Sequence, residues 1–110
     1  MDAGRLEVVF APPARRKMEE MDVETALQLA RDIKTYLEAS PFPLGKTRIK
    51  RMTGFSPPLY RLRSGDFRAY YRIVSAADRP SGGPATVRGT VVVLGITHKK
   101  DSEKILRKIR

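Results

Sequence analysis

The sequence of 110 residues contains no cysteine, no tryptophan and a single histidine, His98. Without cysteine the chain has no disulfide and no thiolate metal site, and one histidine cannot build a nitrogen-rich cluster, which argues against a structural zinc. Long apolar runs are also missing, because no segment approaches the about 18 apolar residues of a membrane-spanning helix. We therefore expect a fold held by packing, without metal, cofactor or membrane contact.

Acidic residues are scarce, with 12 Asp and Glu against 22 Lys and Arg, and the formal net charge is +10. Such an excess indicates attraction to a polyanion such as nucleic acid, or to an acidic protein partner. The N-terminus carries Asp2 and Glu7 and lacks the basic and then apolar order of a signal peptide. We expect a single domain over residues 1–110, located in the cytoplasm.

Apolar periodicity predicts a strand followed by two helices. Leu6 to Phe10 is a short β-branched run ended by Pro12-Pro13, and residues 14–21 form a short charged helix or turn. Asp22 is the predicted N-cap of a second helix, which Ser40-Pro41 ends. Its predicted core stripe consists of Val23, Ala26, Leu27, Ala30, Ile33 and Leu37.

The second half of the chain predicts strands separated by loops. Residues 44–58 are a connection rather than a regular element, and residues 75–89 are a long exposed loop. Thr90 to Thr97 is a strand inside the sheet, and the tail from residue 101 is a short helix. The predicted fold class is α+β in the order β-α-α-β-β-β, with the helices on one face of an antiparallel sheet and a short C-terminal helix.

Two alternating runs around Ser64-Gly65-Asp66 predict a hairpin with a cationic face. Successive side chains of a strand point to opposite faces, so the second run has one side that faces the core and one side that carries its arginines. Arginine is rarely buried without a partner, so we expect this face to bind an anion. The residues predicted to share it are Leu59, Arg61, Arg63, Arg68, Tyr70 and Arg72, and those opposite are Phe67, Ala69, Tyr71 and Ile73.

Two further features extend this prediction toward RNA. Tyr70 lies on the arginine side and is expected to stack on a base. A basic cluster precedes the hairpin and has two open interpretations, a phosphate contact or an ordinary solvated loop; its members are Lys46, Arg48, Lys50 and Arg51.

Five blocks of residues together resemble the RelE/ParE superfamily of bacterial toxins over nearly the whole chain. They are Pro41-Phe-Pro43, Ile49-Lys-Arg-Met-Thr-Gly54, Leu59-Tyr-Arg-Leu-Arg63, Gly65-Asp-Phe-Arg-Ala-Tyr-Tyr-Arg72 and Val93-Leu-Gly-Ile-Thr-His-Lys-Lys100. The resemblance implies the toxin of a type II toxin–antitoxin system, neutralised by a cognate antitoxin protein. RelE-like members cleave mRNA at the ribosome, whereas ParE-like members inhibit DNA gyrase.

The RelE-like branch of the family lines its cleft with basic residues. By this resemblance the cleft residues are Arg61, Arg63, Arg68 and Lys99, and His98 adds a candidate for proton transfer. Arg72 and Lys100 are expected to contact RNA as well.

Two departures from the family pattern leave the activity open. No tyrosine follows Tyr71, whereas RelE has one beyond its last basic residue, and arginine replaces lysine at positions 61 and 63. Arginine is too strongly basic to be a good proton acceptor near neutral pH. The first hypothesis is a metal-independent endoribonuclease in which His98 or a lysine transfers protons. The alternative is a ParE-like toxin without catalysis, whose basic face meets a protein or DNA.

Overall fold

The structure is a computed structural model that describes residues 5–39, 48–75, 87–101 and 106–107. Five strands and two helices make up the described part of the chain. In chain order they are β1 (Arg5–Phe10), α1 (Pro12–Glu19), α2 (Val23–Ala39), β2 (Ile49–Met52), β3 (Leu59–Ser64), β4 (Phe67–Ser75) and β5 (Val87–His98), followed by a 3-10 turn (Lys99–Asp101).

All five strands form one sheet in the order β1-β5-β4-β3-β2. Strands β2 to β5 pair antiparallel in sequence order, whereas β1 pairs parallel with β5. The predicted α+β class is confirmed. The prediction of an antiparallel sheet holds for β2 to β5 and was wrong for β1, whose parallel pairing makes the sheet mixed. The two helices between β1 and β2 form the long crossover that lets the first strand run parallel to the last.

Strand β2 corrects a second prediction, because residues 44–58 were expected to hold no regular element. It pairs with β3 from Ile49 opposite Leu62 to Met52 opposite Leu59. Two of its four residues are the exposed cations Lys50 and Arg51. A short, charged strand is typical of a sheet edge, and it carries too little apolar alternation to be distinguished from a loop.

Both helices begin at chemically recognisable residues. Helix α1 starts at Pro12, two residues before the predicted start, because proline in the first turn needs no backbone donor and has a helical φ. Asp22 caps α2 as predicted: its carboxylate accepts hydrogen bonds from the Thr25 amide (3.1 Å) and the Thr25 hydroxyl (2.7 Å). The Thr25 hydroxyl bond and then the amide bond lower the pKa of Asp22.

The buried row of α2 differs in part from the predicted stripe. Leu29, Ile33 and Leu37 are buried, whereas Val23 is 73% exposed and Leu27 is 54% exposed. The three buried residues are four positions apart and therefore share a face, and Leu27, two positions before Leu29, lies on nearly the opposite side of the helix. Ile33 and Leu37 confirm the stripe, and Val23 and Leu27 are corrections.

The core lies between the helices and one face of the sheet, as predicted. Its aromatic centre is Tyr71 of β4, whose ring stacks on Tyr60 of β3 at 5.6 Å and 22°. Burial raises the pKa of Tyr71, so its phenol stays neutral in the core. The other buried members of this core are Val8, Ala14, Leu29, Ile33, Leu37, Ile49, Leu62, Ala69, Val91, Val93 and Ile96.

The β3–β4 hairpin has the predicted position and a two-residue turn, Gly65-Asp66. Gly65 has φ +59°, in the left-handed region where glycine carries no steric penalty. Ser64 is opposite Phe67, and Arg63 is opposite Arg68. This register fixes the face of every residue along both strands.

Several sequence predictions fall outside the described residues. These are the helix end at residues 40–43, Lys46, most of the 75–89 loop, and the tail helix except for Leu106 and Arg107, which are helical. No helix of the described part is long and apolar enough to span a membrane.

A pair of leucines tests the assignment of the core. Leu62 is 0% exposed and Leu27 is 54% exposed. Truncation of a buried leucine leaves a cavity, so Leu62→Ala is expected to lower the free energy of unfolding by about 2–5 kcal/mol. Leu27→Ala should change it by less than about 0.5 kcal/mol. Urea denaturation of both variants measures the difference, and equal losses would contradict the described packing of α2.

Candidate functional site

The sheet face turned away from the helices carries most of the predicted site. Residues directly opposite each other on paired strands share a face. Arg61 lies between Lys50 and Tyr70, and Arg63 is opposite Arg68. We call this surface the arginine face; the residues on it are Lys50, Met52, Leu59, Arg61, Arg63, Arg68, Tyr70, Arg72, Val74, Thr90, Val92, Gly95 and Thr97 of β2 to β5, with Glu7 and Val9 of β1 at its far edge.

The structure brings three predicted arginines together at the turn end of this face. Burial lowers the pKa of Arg68, the positive charges of Arg61 and Arg63 lower it further, and Tyr70 and Asp66 partly offset the shift. Arg68 nevertheless keeps its charge near neutral pH, because a guanidinium is too basic to lose its proton. In the described part of the chain, none of the three forms an ion pair with a carboxylate. An anion placed there would relieve their mutual repulsion.

Backbone carbonyls orient Arg68. Its Nη1 donates hydrogen bonds to the carbonyl oxygens of Gly65 (3.2 Å) and Phe67 (3.1 Å). The guanidinium is therefore held against the hairpin turn, and its position depends on the turn that Gly65 permits. A fixed cation stabilises developing negative charge without reorganising during a reaction.

Lys99 joins the same end of the face through Asp66. Its amide donates to the Asp66 carbonyl oxygen at 2.8 Å, and its ammonium lies 3.6 Å from the Asp66 carboxylate. Asp66 also raises the pKa of Arg68, so its carboxylate is near Arg68 as well as Lys99. The structure therefore places Lys99 close to the arginines, as the sequence predicted.

His98 lies on the other face of the sheet. It is opposite Phe67, and the two rings meet edge to face at 5.7 Å, whereas Arg68 is opposite Thr97. The Lys100 amide donates a hydrogen bond to Nδ1 of His98 at 3.3 Å, which leaves the hydrogen of a neutral imidazole on Nε2. His98 is thus close to the arginines along the chain but separated from them by the sheet.

A β-bulge explains this placement. Tyr70 is opposite Gly95 and Tyr71 is opposite Val93, so Leu94 has no residue opposite it. One extra residue reverses the alternation along β5. Strict alternation from Val93 would put His98 on the arginine face; with the bulge, Thr97 takes that side.

The basic cluster before the hairpin is divided between surfaces. Lys50 is on the arginine face, while Arg51 is opposite Tyr60 and belongs to the other side. The Arg48 guanidinium lies 4.4 Å from the ring centroid of Tyr36 on α2 and donates to the Arg63 carbonyl oxygen at 3.3 Å. Arg48 is therefore engaged within the fold. Of the other predicted RNA contacts, Lys100 is exposed in the 3-10 turn and Arg72 is half-buried on the arginine face.

Tyr70 occupies the middle of the arginine face, but its ring is 0% exposed. Arg61 is opposite it on β3 and Gly95 on β5, and Arg68 and Arg72 lie two residues away on the same strand. A ring without exposed surface cannot stack on a base, so the predicted stacking does not fit this geometry. The hydroxyl is the one group of Tyr70 that can form a hydrogen bond to a ligand.

A groove that the sequence did not predict runs between α2 and the hairpin turn, with a volume of about 670 Å³. One wall is tied to the other by the Ser64 hydroxyl, which donates to the Asp32 carboxylate at 2.9 Å. Leu27 is exposed and contributes to the lining of the groove. The sequence did not indicate the groove, because the apolar spacing of α2 predicted that Leu27 lies in the core. The lining residues are Glu24, Thr25, Leu27, Gln28, Leu29, Arg31, Asp32, Ser64, Gly65, Asp66 and Phe67.

The chemistry of the arginine face is that of phosphate recognition. A guanidinium offers planar donors that match two oxygens of a phosphate, and grouped cations stabilise the negative charge of a pentacovalent intermediate. Among the residues that the structure describes, no group of three or more His, Cys, Asp or Glu is arranged to hold a metal ion.

Sequence comparison finds no matching family model and no matching curated protein. Structural comparison does find matches. The archaeal RelE–RelB complex from Pyrococcus horikoshii OT3 contains a chain with a TM-score of 0.59 and 19% identity, over 86% of this chain and 94% of that one. The toxin–antitoxin complex RelBE2 from Mycobacterium tuberculosis gives a TM-score of 0.55 and 20% identity, over 86% and 98% of the two chains. The chain therefore has a RelE-like α+β fold.

Proposed function

We propose that this protein is the toxin of a type II toxin–antitoxin system and that it arrests translation by cleaving mRNA at the ribosome, in the cytoplasm. The observation that carries the proposal is the group of three guanidiniums, from Arg61, Arg63 and Arg68, in which the charges of Arg61 and Arg63 lower the pKa of Arg68 and none of the three has a carboxylate partner in the described residues. The fold shared with chains of RelE–RelB and RelBE2 complexes supports the toxin assignment.

The proposed reaction is attack of a ribose 2′-hydroxyl on the adjacent phosphate. In this step the 2′-oxygen passes its proton to solvent and forms a bond to phosphorus, negative charge develops on the phosphorane oxygens, and the bond to the 5′-oxygen breaks as that oxygen takes up a proton from solvent. Arg61, Arg63 and Arg68 hold the phosphate and stabilise that charge, and Lys99 adds a fourth cation at the turn end. Electrostatic stabilisation of this kind is often the largest single contribution to catalysis.

Proton transfer has less support from the geometry. His98 is the one side chain of this sequence that ordinarily titrates near neutral pH, and the sequence proposes it for this role. Its ring packs against Phe67 on the helix side, and its Nδ1 is occupied by the Lys100 amide. These contacts favour a structural role for His98 and leave the arginines and Lys99 as the proposed catalytic groups.

The proposed partners are a cognate antitoxin, mRNA and the ribosome. The two structural neighbours are complexes of a toxin with its antitoxin, which supports an antitoxin partner here. The net charge of +10 suits an RNA-rich target such as the ribosome.

One observation favours a second candidate, a ParE-like toxin that inhibits DNA gyrase without catalysis. Because His98 lies across the sheet from the arginines, the arginine face has strong cations but no histidine. A surface of this kind is sufficient to bind an anionic partner.

Arg68→Ala tests the arginine face. Removal of one stabilising donor typically costs about 10²–10³ in rate, so induced growth arrest should be relieved. The matched control is Arg15→Ala on α1, an exposed arginine away from the sheet face, which should stay toxic. Growth after induction and primer extension on cellular mRNA measure the effect, and copurification with the antitoxin checks folding.

The same measurements separate the two candidates. Codon-phased cuts that disappear in Arg68→Ala support the nuclease. Full toxicity of Arg68→Ala would contradict the site, and intact mRNA with failing DNA supercoiling would favour the gyrase inhibitor.

His98→Gln and Lys99→Gln together test the assignment of roles. Loss of a general acid or base typically slows a reaction by about 10²-fold or more. Because His98 faces away from the arginines, we expect His98→Gln to stay well below this loss, while Lys99→Gln loses more activity than His98→Gln. Cleavage rates of the two purified variants provide the comparison, and a hundredfold loss in His98→Gln would restore His98 as the proton carrier.

A further inference from the structure

Four buried side-chain atoms have no hydrogen-bond partner in the described part of the chain, and all four belong to the arginine face. They are Nε of Arg61, the hydroxyl of Tyr70, Nε of Arg72 and Oγ1 of Thr90. Buried polar groups in native proteins are nearly always paired, and each exception needs an explanation. Their concentration on one surface is the feature to be explained.

The four residues are neighbours on three adjacent strands. Arg61 on β3 is directly opposite Tyr70 on β4, and Arg72 follows two residues along the same strand. Arg72 is opposite Val92 and Val74 is opposite Thr90, so Thr90 is the diagonal neighbour of Arg72. Opposite and diagonal neighbours lie about 4.5–8 Å apart, so Arg61, Tyr70 and Arg72 are within the span of one small ligand, whereas Thr90 adjoins Arg72 alone.

The helix side of the sheet is different. There the buried hydroxyl of Ser64 donates to Asp32, and no atom of that side is among the unpartnered ones in the described residues. The fold therefore pairs its buried polar groups on one face and leaves them open on the other. A buried polar group without a hydrogen-bond partner destabilises the free protein. A ligand that supplies the partner removes this destabilisation.

The unpartnered atoms define the chemistry of that ligand. The Nε–H of an arginine can only donate, and tyrosine and threonine hydroxyls can donate as well. Two charged donors and the tyrosine hydroxyl fit a group with several acceptor oxygens and negative charge, and a phosphate is such a group.

We propose that the arginine face contains a phosphate subsite centred on Tyr70, in which its hydroxyl and the Nε–H groups of Arg61 and Arg72 bind the oxygens of one phosphate, with Thr90 at the rim. The subsite adjoins the turn-end cluster of Arg61, Arg63 and Arg68 and shares Arg61 with it, so that this guanidinium bridges two phosphates, and its ligand is a second phosphate of the polynucleotide held there. In this respect it rests on the proposed RNA ligand. Arg61 and Arg72 are half-buried and the hydroxyl of Tyr70 is buried in the free protein, so the proposed subsite requires the two guanidiniums to rotate when the ligand binds.

Tyr70→Phe is the principal test, because it removes only the hydroxyl. A hydrogen bond to a charged oxygen lost from the complex should weaken binding about tenfold. The probe is a short oligoribonucleotide made resistant to cleavage by 2′-O-methyl groups, with affinity measured by fluorescence anisotropy. Without ligand, the Tm of Tyr70→Phe should equal or exceed that of the wild type, since an unpaired buried hydroxyl is lost. Thr90→Val should behave in the same way with a smaller effect.

The salt dependence of binding separates hydrogen bonding from charge. Tyr70→Phe and Arg72→Lys keep the number of cations, so the slope of log K against log salt should stay unchanged while affinity falls. Arg72→Gln removes a charge and should lower that slope by about 0.7. Tyr71→Phe is the matched control: it makes the same chemical change one residue away, on the core side, and should bind the oligonucleotide like the wild type.

The outcomes also separate this proposal from the nuclease. Equal oligonucleotide affinity of Tyr70→Phe and wild type would overturn the subsite, even if Arg68→Ala abolishes cleavage. If the wild type does not bind the oligonucleotide but inorganic phosphate raises its Tm and not that of Tyr70→Phe, the subsite stands and the RNA ligand is wrong. A wild type that responds to neither probe overturns the subsite.

Discussion

The register of β4 is the constraint on which both the core and the site depend. Tyr71 stacks on Tyr60 inside the core, and its neighbour Tyr70 is therefore turned to the opposite face together with Arg68 and Arg72. A slip of one residue would turn Arg68, Tyr70 and Arg72 into the core and Ala69, Tyr71 and Ile73 outward, at the cost of burying two charged side chains against the helices. The two-residue turn at Gly65 and the apolar packing of Tyr71 thus fix the position of the cations.

The two faces of the sheet contribute to stability with opposite sign. The helix side buries apolar residues and pairs its polar groups, and it supplies the stability. The arginine face opposes folding, because like charges are held close together and buried donors are left open. Such a surface persists only when the rest of the fold is stable without it, and strain of this kind is concentrated at functional sites.

Local patterns predicted the hairpin well, because alternation of period two and a glycine turn are properties of neighbouring residues. Three features were not predictable in this way. The parallel pairing of β1 with β5 joins segments about eighty residues apart, β2 is too short and charged to show alternation, and Leu27 continues an apolar spacing without belonging to the buried row. For the site, the arginine cluster followed from alternation, but the side on which His98 lies depends on a bulge whose one sign in the sequence, Gly95 directly after Leu94, does not fix which residue is left unpaired.

That bulge has a consequence for how this surface can change. Leu94 is the extra residue in β5, and the alternation of faces before it is reversed after it. The face of each residue beyond Leu94 therefore depends on its distance along the strand and not on its type. Deletion of one residue there would exchange Thr97 and His98 between the faces without altering either side chain. In this strand, the number of residues that precede a position decides the face on which its side chain lies. An insertion or deletion can therefore move a histidine onto or off the arginine face in one step.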